Sequence, residues 1–112
     1  MAASTEFKSY DEFFLFYLQQ HRNPANRALH ATGTTLGILA IVAALLLGHP
    51  WWGLLFFPIG YGFAWTGHFL IEKNKPATFG YPFWSFISDF RMLRLMATGQ
   101  LSKWMAKGAV TT

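Results

Sequence analysis

The sequence predicts an all-α integral membrane protein: a two-span antiparallel helical hairpin with amphipathic interfacial helices before and after it. Three observations carry this. Two apolar runs of twenty or so residues, Leu29–Gly48 and Trp51–Ile71, each match the thickness of a bilayer's hydrocarbon core. Only Gly48-His49-Pro50 lies between them, so the second run must return beside the first. Lys and Arg flank the runs at Arg22, Arg27, Lys73 and Lys75, and the turn carries none, which places both termini in the cytoplasm. At 112 residues the chain has room for one membrane domain, 1–112.

The elements follow in order. Tyr10 to Gln20 is rich in Phe, Tyr and Leu and opens with Asp11 and Glu12. Acidic residues favour a helix start, and the segment is too short to span, so 10–20 is an interfacial helix. Asn23 can cap and Pro24 suits a first helical turn, so the first span covers 24–47. His30, Gly33, Gly37, Ala40 and Ala44 form a small-residue stripe along it. The second span, 51–72, carries a matching stripe at Gly53, Phe57, Gly60, Ala64 and Gly67. Pressing the stripes together is the economical packing in lipid, although Gly33-x-x-x-Gly37 equally suits a homodimer. Pro58 is expected to kink the second span. After Gly80-Tyr81-Pro82, the residues Phe83, Phe86, Ile87, Phe90 and Leu93 recur at helical spacing and define an amphipathic helix over 82–98. Trp104, with Lys103 and Lys107 near it, makes 101–107 a last interfacial anchor.

Composition excludes several classes. The net charge of +4 is not gathered into a basic stripe, so nucleic acid is not an expected partner. With no cysteine, disulfides and thiolate ligands are ruled out. Glu6, Asp11 and Glu12 stand where a secretory signal would be basic, so none is expected.

The chemistry rests on histidine. His30 and His68 are each nineteen positions from His49 in the turn, which puts them level at the open end of the hairpin. His68 and Glu72 share a helical face, and His21 is within reach of a loop-back. Asn26, one turn before His30, is placed to orient it. Three histidines and a carboxylate suit Fe(II), Zn(II) or a similar ion. Against this stand plainer roles: interfacial histidines bonded to headgroups, a surface pair of Glu72 with Lys73 or Lys75, and basic residues as headgroup anchors. Arg22, Arg27, Lys73 and Lys75 could equally hold the carboxylate of an acyl substrate at the interface. His49, at the opposite membrane face, is given no role.

The run His21-Arg-Asn-Pro-Ala-Asn26-Arg-Ala-Leu-His30 and the later Gly67-His68-Phe-Leu-Ile-Glu72-Lys-Asn-Lys-Pro76-Ala77 resemble two boxes of a small membrane family. Those boxes are His-x4-Asn-x3-His and Gly-His-x3-Glu-x3-Pro-Ala, and the family includes a 2-hydroxy-fatty-acid dioxygenase of the yeast endoplasmic reticulum. The chain resembles its short, bacterial-type branch, over about residues 10–80. The resemblance implies Fe(II)-dependent α-oxidation, in which a 2-hydroxy fatty acid and O2 give an acid one carbon shorter. It implies iron held by His21, His30 and His68, and Glu72 as ligand or base; Asn26, Arg27 and Lys73 are the residues expected to meet the substrate. It also implies a bacterial inner membrane, and a second copy of the chain could complete the pocket. The competing expectations are a non-catalytic lipid-associated scaffold and a haem protein with His30 and His68 as axial ligands.

Overall fold

The computed structural model describes residues 7–107, and among these no strand occurs. The residues from which a secretory signal was judged include 1–6, which lie outside the described residues, as do 108–112. Helix α1 spans Tyr10–Gln19. Ser9 caps it, its Oγ accepting from the Glu12 N–H at 3.3 Å, while Glu12 accepts from the Lys8 N–H at 3.0 Å. This reciprocal pairing satisfies amide donors that a helix start leaves free.

Helix α2 spans Pro24–Leu46. Pro24 occupies its first turn, and Asn23 Oδ1 accepts from the Ala25 N–H at 2.8 Å. It ends where Gly48 takes φ +78° and His49 donates its N–H to the Ala44 carbonyl at 2.8 Å. This left-handed stop suits glycine, which lacks the Cβ that other residues would crowd there.

The return segment, Pro50–Glu72, is not one uniform helix. Pro50–Leu55 is a 3₁₀ stretch, α3 covers Phe56–Thr66, and Gly67–Glu72 widens into π geometry ending at Lys73 with φ 59°. Pro58 sits in the first turn of α3, just past the 3₁₀ stretch. The 3₁₀ start also shifts the contact register. Phe56, not Phe57, packs on Gly37, and Phe57 is exposed.

Contacts between α2 and the return segment run in opposite order along the two. Ile41 meets Gly53, Gly37 meets Phe56, Gly33 meets Gly60 and Phe63, and Asn26 meets Gly67. The Gly33 and Gly37 face is thus taken up within the chain. Both segments are long and apolar enough to cross a membrane, and only 28% and 22% of their most apolar windows are buried inside the molecule. A core helix of a water-soluble protein would be mostly covered; here Leu36, Leu39, Leu45, Leu46, Leu54, Leu55 and Leu70 face outward.

Helices α4 (Pro82–Ala97) and α5 (Leu101–Lys107) join α1 in one packed cluster. Phe13, Phe14, Tyr17, Leu18, Met92, Leu95, Leu101 and Met105 are buried together. The Arg91 guanidinium lies over the Phe14 and Trp104 rings at 4.1 and 4.4 Å, a favourable cation–π arrangement. Helix α4 also reaches the α2–α3 pair, where Phe90 stacks on Phe56 with a centroid separation of 5.9 Å. Its inward face is not the one that hydrophobic spacing singles out. Ser85, Ser88, Met92 and Leu95 are buried, while Phe83 and Ile87 are exposed. Ser88 is satisfied by a 2.9 Å hydrogen bond with the Tyr10 hydroxyl.

Candidate metal centre

Three histidines from three elements converge where α1, α2 and the π turn meet. His21 follows the end of α1, His30 lies in the second turn of α2, and His68 is the second residue of the π turn. They are 0%, 5% and 2% exposed, and one ring nitrogen from each lies within 4.8 Å of the others. The π turn is a common device at functional sites; here it carries His68 inward to the other two.

Two of the rings are hydrogen-bonded at Nδ1, and the third turns its Nδ1 toward a carboxylate. His21 Nδ1 is 2.6 Å from the Tyr17 carbonyl, and its ring stacks on Tyr17. His68 Nδ1 is 2.7 Å from Asn74 Oδ1, and Asn74 in turn donates to the carbonyl and Oε1 of Gln20, both at 3.1 Å. His30 Nδ1 lies 3.5 Å from Asp89 Oδ1, which also accepts from the Tyr17 hydroxyl. A carbonyl can only accept, so a neutral His21 carries its proton on Nδ1 and bares a lone pair at Nε2. That Nε2 is 3.1 Å from His30 Nε2.

This arrangement suits a cation. With His30 protonated on Nε2 the two rings share a hydrogen bond at 3.1 Å; with its proton on Nδ1, toward Asp89, both Nε2 lone pairs are free for a cation. The separation is less than twice a metal–nitrogen bond of about 2 Å, so one ion can accept both. Burial, and the proximity of His30 and His68, push the His21 imidazole well below its ordinary pKa, which keeps it in the neutral, ligating form. Borderline divalent ions match an all-imidazole donor set. Haem does not fit between His30 and His68. Their ring centroids are 5.0 Å apart and perpendicular, and His21 stands 4.3 and 4.5 Å from them, leaving no slot for a macrocycle.

The other expected site residues stand around the trio. Glu72 Oε2 accepts from the Asn23 N–H at 2.6 Å and from Asn26 Nδ2 at 3.4 Å. Free amides and the positive dipole end of α2 draw the carboxylate there, and among the described residues the group that can hold an ion comprises the three histidines. Asn26 is fully buried, wedged against Gly67, with Oδ1 lacking a hydrogen-bond partner. Arg27 Nη1 donates to the carbonyls of His21 and Arg22 at 2.8 and 2.9 Å, closing the loop between α1 and α2. Lys73 is exposed at the end of the π turn. His49 is remote in sequence from the trio, at the turn between the two segments, stacked on Trp52.

Tyr17, Asn74 and Asp89 are site residues that the sequence reading does not name. Tyr17 precedes His21 by one helical turn and Asn74 lies inside the second histidine box, so both had a local signal. Asp89 had none, being a lone acid on an amphipathic helix far along the chain.

A shallow apolar groove of about 430 Å³ runs along α3, lined by Pro58, Tyr61, Gly62, Trp65, Thr66, Phe69 and Leu70. A second groove shares Pro58, Gly62 and Thr66 and extends to Leu29 and Phe63.

Comparison with known proteins adds one match. The family described as 2-hydroxy-palmitic acid dioxygenase Mpo1-like matches residues 7–101, a range that holds all three histidines. No curated protein and no solved structure matches the chain.

Proposed function

The chain belongs to the Mpo1-like family, and on that premise we propose that it is a membrane-embedded Fe(II) dioxygenase of 2-hydroxy fatty acids. The reaction is 2-hydroxy acid plus O2 to the acid one carbon shorter, CO2 and water. One oxygen atom enters the new carboxyl group and the other leaves as water, so O2 takes up the four electrons that cleavage and oxidation release. The observation that carries this reading is the convergence of three buried imidazoles, one ring nitrogen from each within 4.8 Å of the others.

Bound Fe(II) supplies the redox chemistry that O2 needs to react with a closed-shell acid. The chain's own residues do the rest. His21, His30 and His68 would hold the ion, which would supply a binding point for the hydroxy carboxylate. Arg27, half-buried with its Nη1 on the His21 carbonyl, is assigned to the substrate carboxylate. Lys73 lies at the exposed rim. Glu72 and Asn26 are assigned a positioning role, clamping the start of α2 to the π turn that carries His68. The α2–α3 pair serves as a transmembrane hairpin with α1, α4 and α5 at one membrane face. The grooves along α3 lie where an acyl chain in the bilayer can rest.

The test is turnover by protein purified in detergent and loaded anaerobically with Fe(II). Given 2-hydroxypalmitic acid and O2, it should consume O2 and release CO2 and the shortened acid in equal amounts. His68→Ala should bind no iron and make no product. Wild-type protein that holds stoichiometric iron yet makes no shortened acid overturns the assignment.

A further inference from the structure

We propose that Asp89, fixed in place by Tyr17, is the positioning residue for His30, which makes α4 part of the metal site. The inference rests on the metal reading above and concerns a carboxylate outside the histidine boxes.

Two of the three rings are held by acceptors that cannot wander. His21 leans on a helix carbonyl, and His68 leans on an Asn74 side chain that is itself tied twice to Gln20. The third ring faces Asp89, the only acidic residue of α4. Its Oδ1 is 3.5 Å from His30 Nδ1, and the same oxygen accepts from Tyr17. Tyr17 is 1% exposed. Its carbonyl orients His21 while its hydroxyl anchors the group that faces His30, so one residue of α1 sets two of the three ligands.

The electrostatics point the same way. Asp89 is only 15% exposed, and a carboxylate removed from water is costly unless positive charge accompanies it. Tyr17 supplies a neutral hydroxyl and His30 an imidazole. A divalent ion on the far nitrogen of His30 would supply the missing charge and strengthen the attraction between Nδ1–H and the carboxylate. Acceptors of this kind raise ligand basicity and fix ring orientation, and their loss typically weakens metal affinity by roughly 10–100-fold.

The experiment is a Co(II) titration of detergent-purified full-length protein, followed by visible absorption, which reports both affinity and ligand geometry without turnover. Asp89→Asn should raise Kd by about 10–100-fold and shift the ligand-field bands. Tyr17→Phe should raise it less, and the double variant should match Asp89→Asn alone, because Tyr17 acts on His30 through Asp89. A folded Asp89→Asn with wild-type Kd and spectrum overturns the proposal, even if its unfolding temperature falls, since that pattern marks a merely structural link between α1 and α4. Should Asp89→Asn not fold, Tyr17→Phe decides on the same two readouts. Co(II) binding that survives His68→Ala in full defeats the metal reading itself, an outcome separable from the others.

Discussion

Gly67 shows how little slack surrounds the histidines. A Cβ placed there would sit 1.8 Å from Asn26 Oδ1 and 2.8 Å from its Cγ, both in a fully buried side chain. Gly67→Ala should therefore destabilise the protein by about 1–3 kcal/mol, the usual range for overpacking, and should loosen His68 beside it. Gly62→Ala, with nothing within 4 Å, should be silent in the same thermal unfolding measurement. Tyr17 supplies a pH dependence. Burial and the neighbouring Asp89 raise its phenol well above the ordinary value of 10.0. The folded state thus keeps this proton when the unfolded chain gives it up, so the contribution is intact below about pH 10 and is lost as pH rises further. Unfolding temperature should fall more steeply above pH 10 for the wild type than for Tyr17→Phe. Much at this scale was legible beforehand: the three histidines and Asn26 stand out by spacing alone. Asp89 was not, because its role depends on a contact 72 residues along the chain with Tyr17, and no periodicity records such a distance.

Helices carry their own lesson. The starts of α1 and α2 follow from Ser9, Asn23 and Pro24, local devices that act wherever they occur. The interior of the second segment was less legible. A continuous helix from residue 51 predicts that Phe57 faces α2, whereas the 3₁₀ opening turns Phe56 there. Spacing rules assume one helical pitch, and this segment uses three. The close approach of α2 and α3 depends on Gly33, where a Cβ would lie 2.7 Å from Phe63 Cβ and 3.1 Å from the Gly60 carbonyl. Gly33→Ala should force the two segments apart and lower the unfolding temperature, whereas Gly60→Ala, whose Cβ would come no closer than 4.0 Å to the Gly33 carbonyl, should not. Equal effects from the two would argue against this packing. Helix α4 divides its Phe and Ile stripe: Phe83 and Ile87 face outward, whereas Phe86 and Phe90 pack on Phe56 and Ser85 and Ser88 are buried.

At the scale of the whole molecule, the site exists only when α1, α2, the π turn and α4 are all in place. His21, His30 and His68 come from three segments that are scattered in the unfolded chain, so an ion held as proposed would bind the folded state far better and stabilise it by mass action. Adding Co(II) or Fe(II) at a hundredfold excess over Kd should contribute about 2.7 kcal/mol and raise the unfolding temperature, with His68→Ala showing no rise. Chelator should reverse the effect. The Tyr17 carbonyl and hydroxyl, serving two ligands from one helix, then have an outcome for the living cell. Copies made without the proposed ion would be the weakly knit ones, the first to open before a protease, so that the abundance of the protein would track the supply of that ion without any dedicated sensor.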